Sequence, residues 1–228
     1  MDLGIKIASD GMRLRLKQQE IIAQNIANLN TEYYKNKNLY FSYNDKQIVP
    51  NLYIDMECGA KINTENKFDL YLDKNVFLKV MDENNNKFFI KDGRLNLNEK
   101  GELIYKNYYV LDVNDNKIYL NNNSNIIIMS NGDIIENNKI VGKLGLYRNP
   151  EIKVSLNEKN NLFYDLTSPI LHNEYNTIYQ GFREASNVNR VNELIKMISG
   201  YHIYESCQKA IMVNDEVINK TINELNKF

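Results

Sequence analysis

Apolar residues recur every seven positions at both ends of this chain, and that spacing restricts its possible folds more than any other feature. Near the N-terminus Ile7, Leu14 and Ile21 share the interval, joined by Ile22, Ile26 and Leu29 at helical offsets, with no proline between Leu3 and Leu29. The pattern predicts one long amphipathic helix, ended where Asn28, Asn30 and Thr31 supply residues that favour caps and turns. From Asn187 onward Met197, Tyr204, Ile211, Ile218 and Leu225 are again seven apart, and Leu194, Ile198, Tyr201 and Ile222 fill out the same apolar face. A helix over that stretch would run roughly 55–60 Å at 1.5 Å per residue. A small domain cannot bury so long a stripe alone, so the spacing predicts pairing of the two helices with each other or with neighbouring subunits as a coiled coil.

The middle of the chain follows a different rule. Between about residues 67 and 165, short apolar or alternating runs are separated by Asn, Asp and Gly, which are strand signals. Phe68 to Leu72, Val76 to Val80, Phe88 to Ile90 before Asp92-Gly93, Leu103 to Tyr105, Ile126 to Met129 before Asn131-Gly132, and Gly142 to Tyr147 are the clearest. No strand is followed by the helical pattern a parallel crossover needs, so the expected middle is antiparallel. The fold class is α+β: long N- and C-terminal helices framing a central, mainly antiparallel β domain.

Several function classes are disfavoured by composition. With 28 basic against 29 acidic residues there is no bulk field to attract a nucleic-acid backbone or an anionic membrane. The longest apolar runs fall far short of the roughly 20 residues of a membrane-spanning helix. The first residues contain no apolar core and no small-residue cleavage site, which predicts that no cleaved signal peptide is used. Cys58 and Cys207 lie far apart and form no metal or redox motif, so both read as idle or buried thiols. The asparagine runs at Asn84 to Asn86 and Asn121 to Asn123 read as compositional drift.

Candidates for catalysis are thin. His172 and His202 are the two histidines, and neither has metal-ligand spacing; His202 falls within the C-terminal helix and reads as a packed or solvated helix residue. Asp69 and Asp73 form a carboxylate pair of the kind glycoside cleavage uses, but such pairs arise by chance in a chain this rich in acid. There is no GxSxG, P-loop or GxGxxG. The expectation is a non-enzyme with no cofactor, no metal and no small-molecule substrate. An adhesin or interaction protein with a β head is the other alternative, one that would bind an external ligand through its β surface.

Two segments resemble the flagellar rod and hook family. Its members open with a helix ending in a segment of the form ANNxANxxTxGF/YK; here Ala23, Asn25, Ala27, Asn28, Thr31 and Lys35 agree, with Tyr34 at the aromatic position. Gln24 departs from the first asparagine, and Glu32-Tyr33 stands where the family has a Pro-Gly-like turn. The second signature is SNV before the C-terminal helix, then an acidic residue, an apolar stripe and YExxxKxI; this chain has Ser186-Asn187-Val188, Glu193, Tyr204-Glu205, Lys209 and Ile211. His202 and Cys207 replace a common arginine and asparagine. More loosely, Leu70 to Val80, Asp92-Gly93 and Gly101-Glu102-Leu103 resemble the family's middle.

The resemblance implies a structural subunit of the flagellar rod, proximal by its length and its ending, with distal rod as the alternative. It implies helices that form a coiled-coil-like tube domain with β domains outward, self-association with copies and with other rod subunits, and export by the flagellar type III apparatus to a rod that spans the periplasm. The corresponding division is 1–35 for the N-terminal helix and its asparagine motif, 36–66 a connecting segment, 67–165 the β domain, 166–185 a connector and 186–228 the C-terminal helix. The expected assembly residues are Ile7, Leu14, Ile21, Asn25, Asn28, Thr31, Ser186, Asn187, Val188, Met197, Tyr204, Glu205, Ile211, Ile218 and Leu225. Asn25, Asn28 and Asn187 are the candidates for interhelical hydrogen bonds, because a polar group in a coiled-coil seam fixes register. Capping is the alternative role for Asn28, and for Ser186 or Asn187 at the start of the second helix.

Overall fold

A computed structural model of the protein describes residues 3–44, 47–121, 124–148, 155–157, 160–165, 169–172 and 177–225. Asn122 and Asn123 of the second asparagine run, and 226–228 at the end of the expected C-terminal helix, lie outside those residues. The chain forms two units, each assembled from separated stretches of sequence.

The first unit takes in Met1–Leu29, Lys37–Leu52 and Val188–Phe228. Helix α1 runs over Leu3–Ala27. It stops where the Gln24 carbonyl accepts both the Asn28 N–H at 3.1 Å and the Asn28 side-chain Nδ2 at 2.8 Å, closing the last turn. Strands β1 (Lys37–Asn44) and β2 (Gln47–Ile54) form a two-stranded sheet, with the last two residues of β2 counted in the second unit. Helix α2 covers Arg190–Leu225. Its N-cap is Asn189, whose Oδ1 accepts the Asn192 N–H at 3.1 Å, and not Ser186 or Asn187. Glu193 in the first turn adds negative charge where the helix dipole favours it.

The second unit takes in Asn30–Asn36 and Tyr53–Asn187. Its strands are β3 (Lys61–Asn63), β4 (Leu70–Leu72), β5 (Val76–Met81), β6 (Lys87–Ile90), β7 (Asn96–Leu97), β8 (Leu103–Tyr105) and β9 (Tyr108–Val110). There follow β10 (Ile126–Ile128), β11 (Asp133–Glu136), β12 (Lys139–Lys143), β13 (Leu146–Arg148), β14 (Ser155–Asn157), β15 (Asn160–Asp165), β16 (Ile170–Leu171), β17 (Ile178–Gln180) and β18 (Phe182–Glu184). The registers given for these strands are antiparallel throughout. The stretches expected to be connectors contain β1 and β2 as well as β3, β16, β17 and β18. Strands of two or three residues carry too few alternations for periodicity to separate them from loop.

Strand β5 organises the unit. It pairs with β6 along one edge, and with β13 and then β9 along the other. Period-two alternation divides its side chains: Val76, Leu78 and Val80 enter the main core with Leu103, Val110 and Leu146, while Phe77 packs with Ile54, Met56 and Tyr164 on the opposite face. Both faces are covered, and so the run reads as nearly continuous apolar sequence. At the expected Asp92-Gly93 turn the backbone passes close to β4. A Cβ on Gly93 would lie 1.8 Å from the Leu70 carbonyl oxygen, so only glycine fits. Asparagines also have a structural use here: Asn75, Asn85, Asn137 and Asn138 all have positive φ, and the last two form the two-residue β11–β12 hairpin turn.

Several charged side chains of the unit are buried. Lys35 pairs with Glu184 at 2.5 Å, with both side chains almost fully buried, and its Nζ also donates to the Glu57 carbonyl. Lys91 is buried too and donates to the carbonyls of Leu72, Asp73 and Val76. Burial, assisted by the nearby Lys35 charge, lowers the Lys91 pKa to about 8. Between about pH 8 and the ordinary value near 10.5, the unfolded chain keeps a proton that the folded chain has released, so stability should rise with pH across that window. A shift of this size corresponds to about 3 kcal/mol. Urea unfolding of the wild type from pH 7.5 to 10.5 should show the rise, and the Lys91→Met variant should lack it.

Candidate assembly surface

The expected assembly residues are distributed over both units. In the first unit α1 and α2 pack antiparallel, as three pairings show. Asn25 meets Glu193, Gln19 meets Gly200, and Gly11 meets Cys207, so residue numbers fall along one helix as they rise along the other.

The polar pairing is the most specific. Asn25 is fully buried. Its Nδ2 donates to Glu193 Oε2 at 2.9 Å and to the Lys37 carbonyl at 2.7 Å, while its Oδ1 accepts the Lys37 N–H at 3.1 Å. One primary amide thus satisfies both backbone groups of the first residue of β1 and ties them to α2. The other Glu193 oxygen holds Lys196 at 2.6 Å, and Lys196 also donates to Asn38. Of the three asparagines expected to bridge helices, Asn25 does so within the chain, while Asn28 caps its own helix and Asn187 belongs to the second unit.

Among the buried and half-buried positions of α2, Glu193, Met197, Gly200, Tyr204, Cys207, Ile211 and Asn214 alternate four and three residues apart, with Lys196 and Glu205 half-buried beside them. This is the inner seam. Small residues let α1 approach: a Cβ on Gly200 would lie 2.2 Å from Gln19 Nε2, and one on Gly11 would lie 3.4 Å from Cys207 Sγ. Gln19 uses that space to donate to the Met197 carbonyl at 2.8 Å. Neither Gln19 nor the two glycines was expected as part of the surface. Glycine inside a helical pattern is the signal that points to them.

Leu194, Ile198 and Tyr201 are not on that face. They are exposed, at 43%, 58% and 64%, and with Val191 and Met212 they mark a second heptad stripe around the helix from the inner seam. Ile7 is likewise exposed on α1, while Leu14 and Ile21 are half-buried. The antiparallel pairing brings Leu3 level with about residue 215, so the rest of α2 runs beyond the described part of α1. Ile218 and Ile222 of that extension are exposed, and Leu225 is the last helical residue. Glu205 pairs with Lys209 at 2.8 Å and lies 3.9 Å from His202; Lys209 first, and then His202, hold its carboxyl below the usual range.

The remaining expected residues lie at or next to the second unit. Val188, the first residue of the helical unit's C-terminal stretch, is buried, and Ser186 is half-buried. Asn187 Oδ1 accepts the Asn36 N–H at 2.6 Å, and its Nδ2 donates to the carbonyls of Asp55 and Glu57. The carbonyl of Thr31 accepts the Tyr34 N–H in a turn whose third residue, Tyr33, has φ +60°. The chain thus turns at Glu32-Tyr33, as it would with a Pro-Gly-like pair. Of the carboxylates weighed for catalysis, Asp69 is buried and occupied by Arg183 at 2.7 Å and Thr64 at 2.7 Å. Among the described residues no group of His, Cys, Asp and Glu has the arrangement of a metal site, and no helix is long and apolar enough to cross a membrane.

Removing the Asn25 amide leaves the Lys37 backbone and Glu193 short of partners inside the unit. Asn25→Ala should therefore destabilise the helical unit by about 2–3 kcal/mol, read as loss of hydrogen-exchange protection along α1 and α2 with the β unit unchanged.

Comparison with known proteins finds relatives that span nearly the whole chain and family matches at both of its ends. Residues 5–35 match the family described as flagella basal body rod protein, and residues 179–225 match the flagellar basal body rod FlgEFG protein C-terminal family. The chain is 30% identical to the flagellar basal-body rod protein FlgF of Buchnera aphidicola subsp. Schizaphis graminum, over 91% of this chain and 93% of the relative. It is 28% identical to FlgF of Caulobacter vibrioides, over 95% of each chain. It is 24% identical to the flagellar basal-body rod protein FlgG of Buchnera aphidicola subsp. Baizongia pistaciae, over 94% of this chain and 96% of that protein.

Proposed function

The chain belongs to the flagellar basal-body rod protein family and is a structural subunit of that rod, and we propose that it serves in the proximal rod and assembles through its terminal helices. A FlgF relative matches at 30% identity over 91% of this chain, where a FlgG relative of Buchnera aphidicola matches at 28% over 71%, and the longer and stronger match supports the proximal position. The distal rod is the alternative.

The second apolar stripe of α2 carries the assembly reading. Val191, Leu194, Ile198 and Tyr201 repeat at three- and four-residue intervals, as the inner seam does, and Met212 follows on the same line eleven residues on, yet within the described chain no element covers them. A helix with two heptad stripes at different angles has surface for two partner helices. One is α1 of the same chain. The other is a helix of a neighbouring subunit, which also covers Ile218 and Ile222 beyond the end of α1. Head-to-tail contacts of this kind, repeated without closure, generate a helical tube. Terminal helices then line the tube, β units face outward, and the array transmits torque as an axial shaft without chemistry, metal or cofactor. Subunits reach the rod through the flagellar export apparatus.

The stripe residues are exposed in the single chain, so replacing them should leave it nearly as stable as before, within about 0.5 kcal/mol. Ile198→Cys, in a chain whose Cys58 and Cys207 are replaced by serine and whose one thiol carries a photo-activated cross-linker, should form cross-linked ladders in isolated basal bodies and none in purified monomer. Ile198→Asp should fold but fail to restore swimming to cells lacking their own copy. A stripe variant that restores swimming fully would count against helix-mediated assembly and favour a β-surface interaction protein.

A further inference from the structure

Tyr33 holds a backbone conformation that bulky side chains rarely adopt. Its φ is +60°, at the third position of the Thr31–Tyr34 turn, where type II geometry ordinarily selects glycine. An L-residue with a large side chain gives up free energy there, and such a residue persists only where its surroundings hold it.

Several directed contacts hold this one, all within the second unit. The Tyr33 N–H donates to the Glu184 carbonyl at 2.9 Å, and its hydroxyl donates to the Leu70 carbonyl at 3.1 Å. The ring is buried, with the Arg94 guanidinium carbon 5.5 Å from its centroid. The preceding Glu32 pairs with Arg183 at 3.2 Å and with Arg94 at 3.7 Å. Beyond the turn, Lys35 reaches Glu184, and the Asn36 N–H reaches Asn187. Burial, with Asp92 and Asp69 nearby, pushes the phenol far above its ordinary range, so it remains a donor. Residues 30–36 are therefore fastened mainly through polar and ionic contacts, with the Tyr33 ring as their apolar anchor.

We infer that Tyr33 is a positioning residue for the connector that follows α1: its buried ring and hydroxyl hold the strained left-handed turn and fix residues 30–36 onto the β unit. The position thus uses side-chain burial where a glycine would rely on backbone freedom alone. The strain gives the variants different expected effects, which ordinary core packing would not.

The test is hydrogen exchange at the amides of Tyr33, Tyr34 and Asn36 in the full chain, for wild type and for Tyr33→Phe, Tyr33→Gly and Tyr33→Ala. Tyr33→Phe loses one hydrogen bond and should exchange a few-fold faster. Tyr33→Gly loses the ring but relieves the strain. Tyr33→Ala loses the ring and keeps the strain, so it should exchange about 5- to 30-fold faster than the glycine variant. In cells lacking their own copy, Tyr33→Phe should restore swimming and Tyr33→Ala should not, at equal protein levels. A glycine variant protected as well as wild type would overturn the inference, as would equal exchange in the alanine and glycine variants. Because exchange is measured on the free chain, its outcome is independent of the rod reading. Swimming depends on that reading, so full swimming by Tyr33→Ala alongside fast exchange would remove the positioning role while leaving the turn as described.

Discussion

One buried amide sets the frame of the helical unit. Asn25 satisfies both backbone groups of Lys37 and one oxygen of Glu193, so α1, α2 and β1 share a single polar junction. Apolar stripes can slide by a turn at little cost, because one apolar side chain fits most seams. A buried amide with three required partners cannot, since each unmade bond leaves a group desolvated at about 1–3 kcal/mol. Gly200, Gln19 and Cys207 follow from the register that Asn25 imposes. Which α2 residues face outward follows from it as well.

The β unit is specified differently. Its centre is an ordinary antiparallel core around β5, but its border with residues 30–36 is charged: Lys35 with Glu184, and Glu32 with Arg183 and Arg94. Buried pairs add little net stability, because desolvation offsets their attraction, but they penalise any other arrangement heavily. That suits a segment that must be placed correctly more than it must be stable. The helical unit uses the same device with the neutral Asn25, and in both units the asparagine and lysine of the N-terminal motif make the contacts.

Both helices and the central strand were legible in the sequence, while the eight-residue β1 and β2 and the shortest strands were not. Heptad spacing gave both helices, and the run Val76 to Val80 gave the central strand, because each repeats its period several times. The strands β3, β16, β17 and β18 repeat too few times to register, and their partners lie far off in sequence. The seven-residue interval also concealed a distinction: Leu194, Ile198 and Tyr201 share the interval with Met197 and Tyr204 but lie on a different stripe, which only the placement of α1 reveals. Asparagine content was read as drift, yet Asn75, Asn85, Asn137 and Asn138 occupy left-handed turns, a role that depends on φ and not on the residue count. Of the motif asparagines, Asn25 joins the two helices within the chain and Asn28 closes the end of α1, while Asn187 holds loops of the β unit and the cap of α2 falls to Asn189.

The central claim is that α2 carries two seams, one filled by its own α1 and the other by a neighbour. A cryo-electron microscopy map of isolated basal bodies, at a resolution that separates helices within the rod, tests this most directly. The account predicts the α1–α2 pairing found here, with a helix of an adjacent subunit packed along Leu194, Ile198 and Tyr201 and continuing over Ile218 and Ile222. A rod in which that stripe faces solvent, with subunits joined through their β units alone, would contradict it.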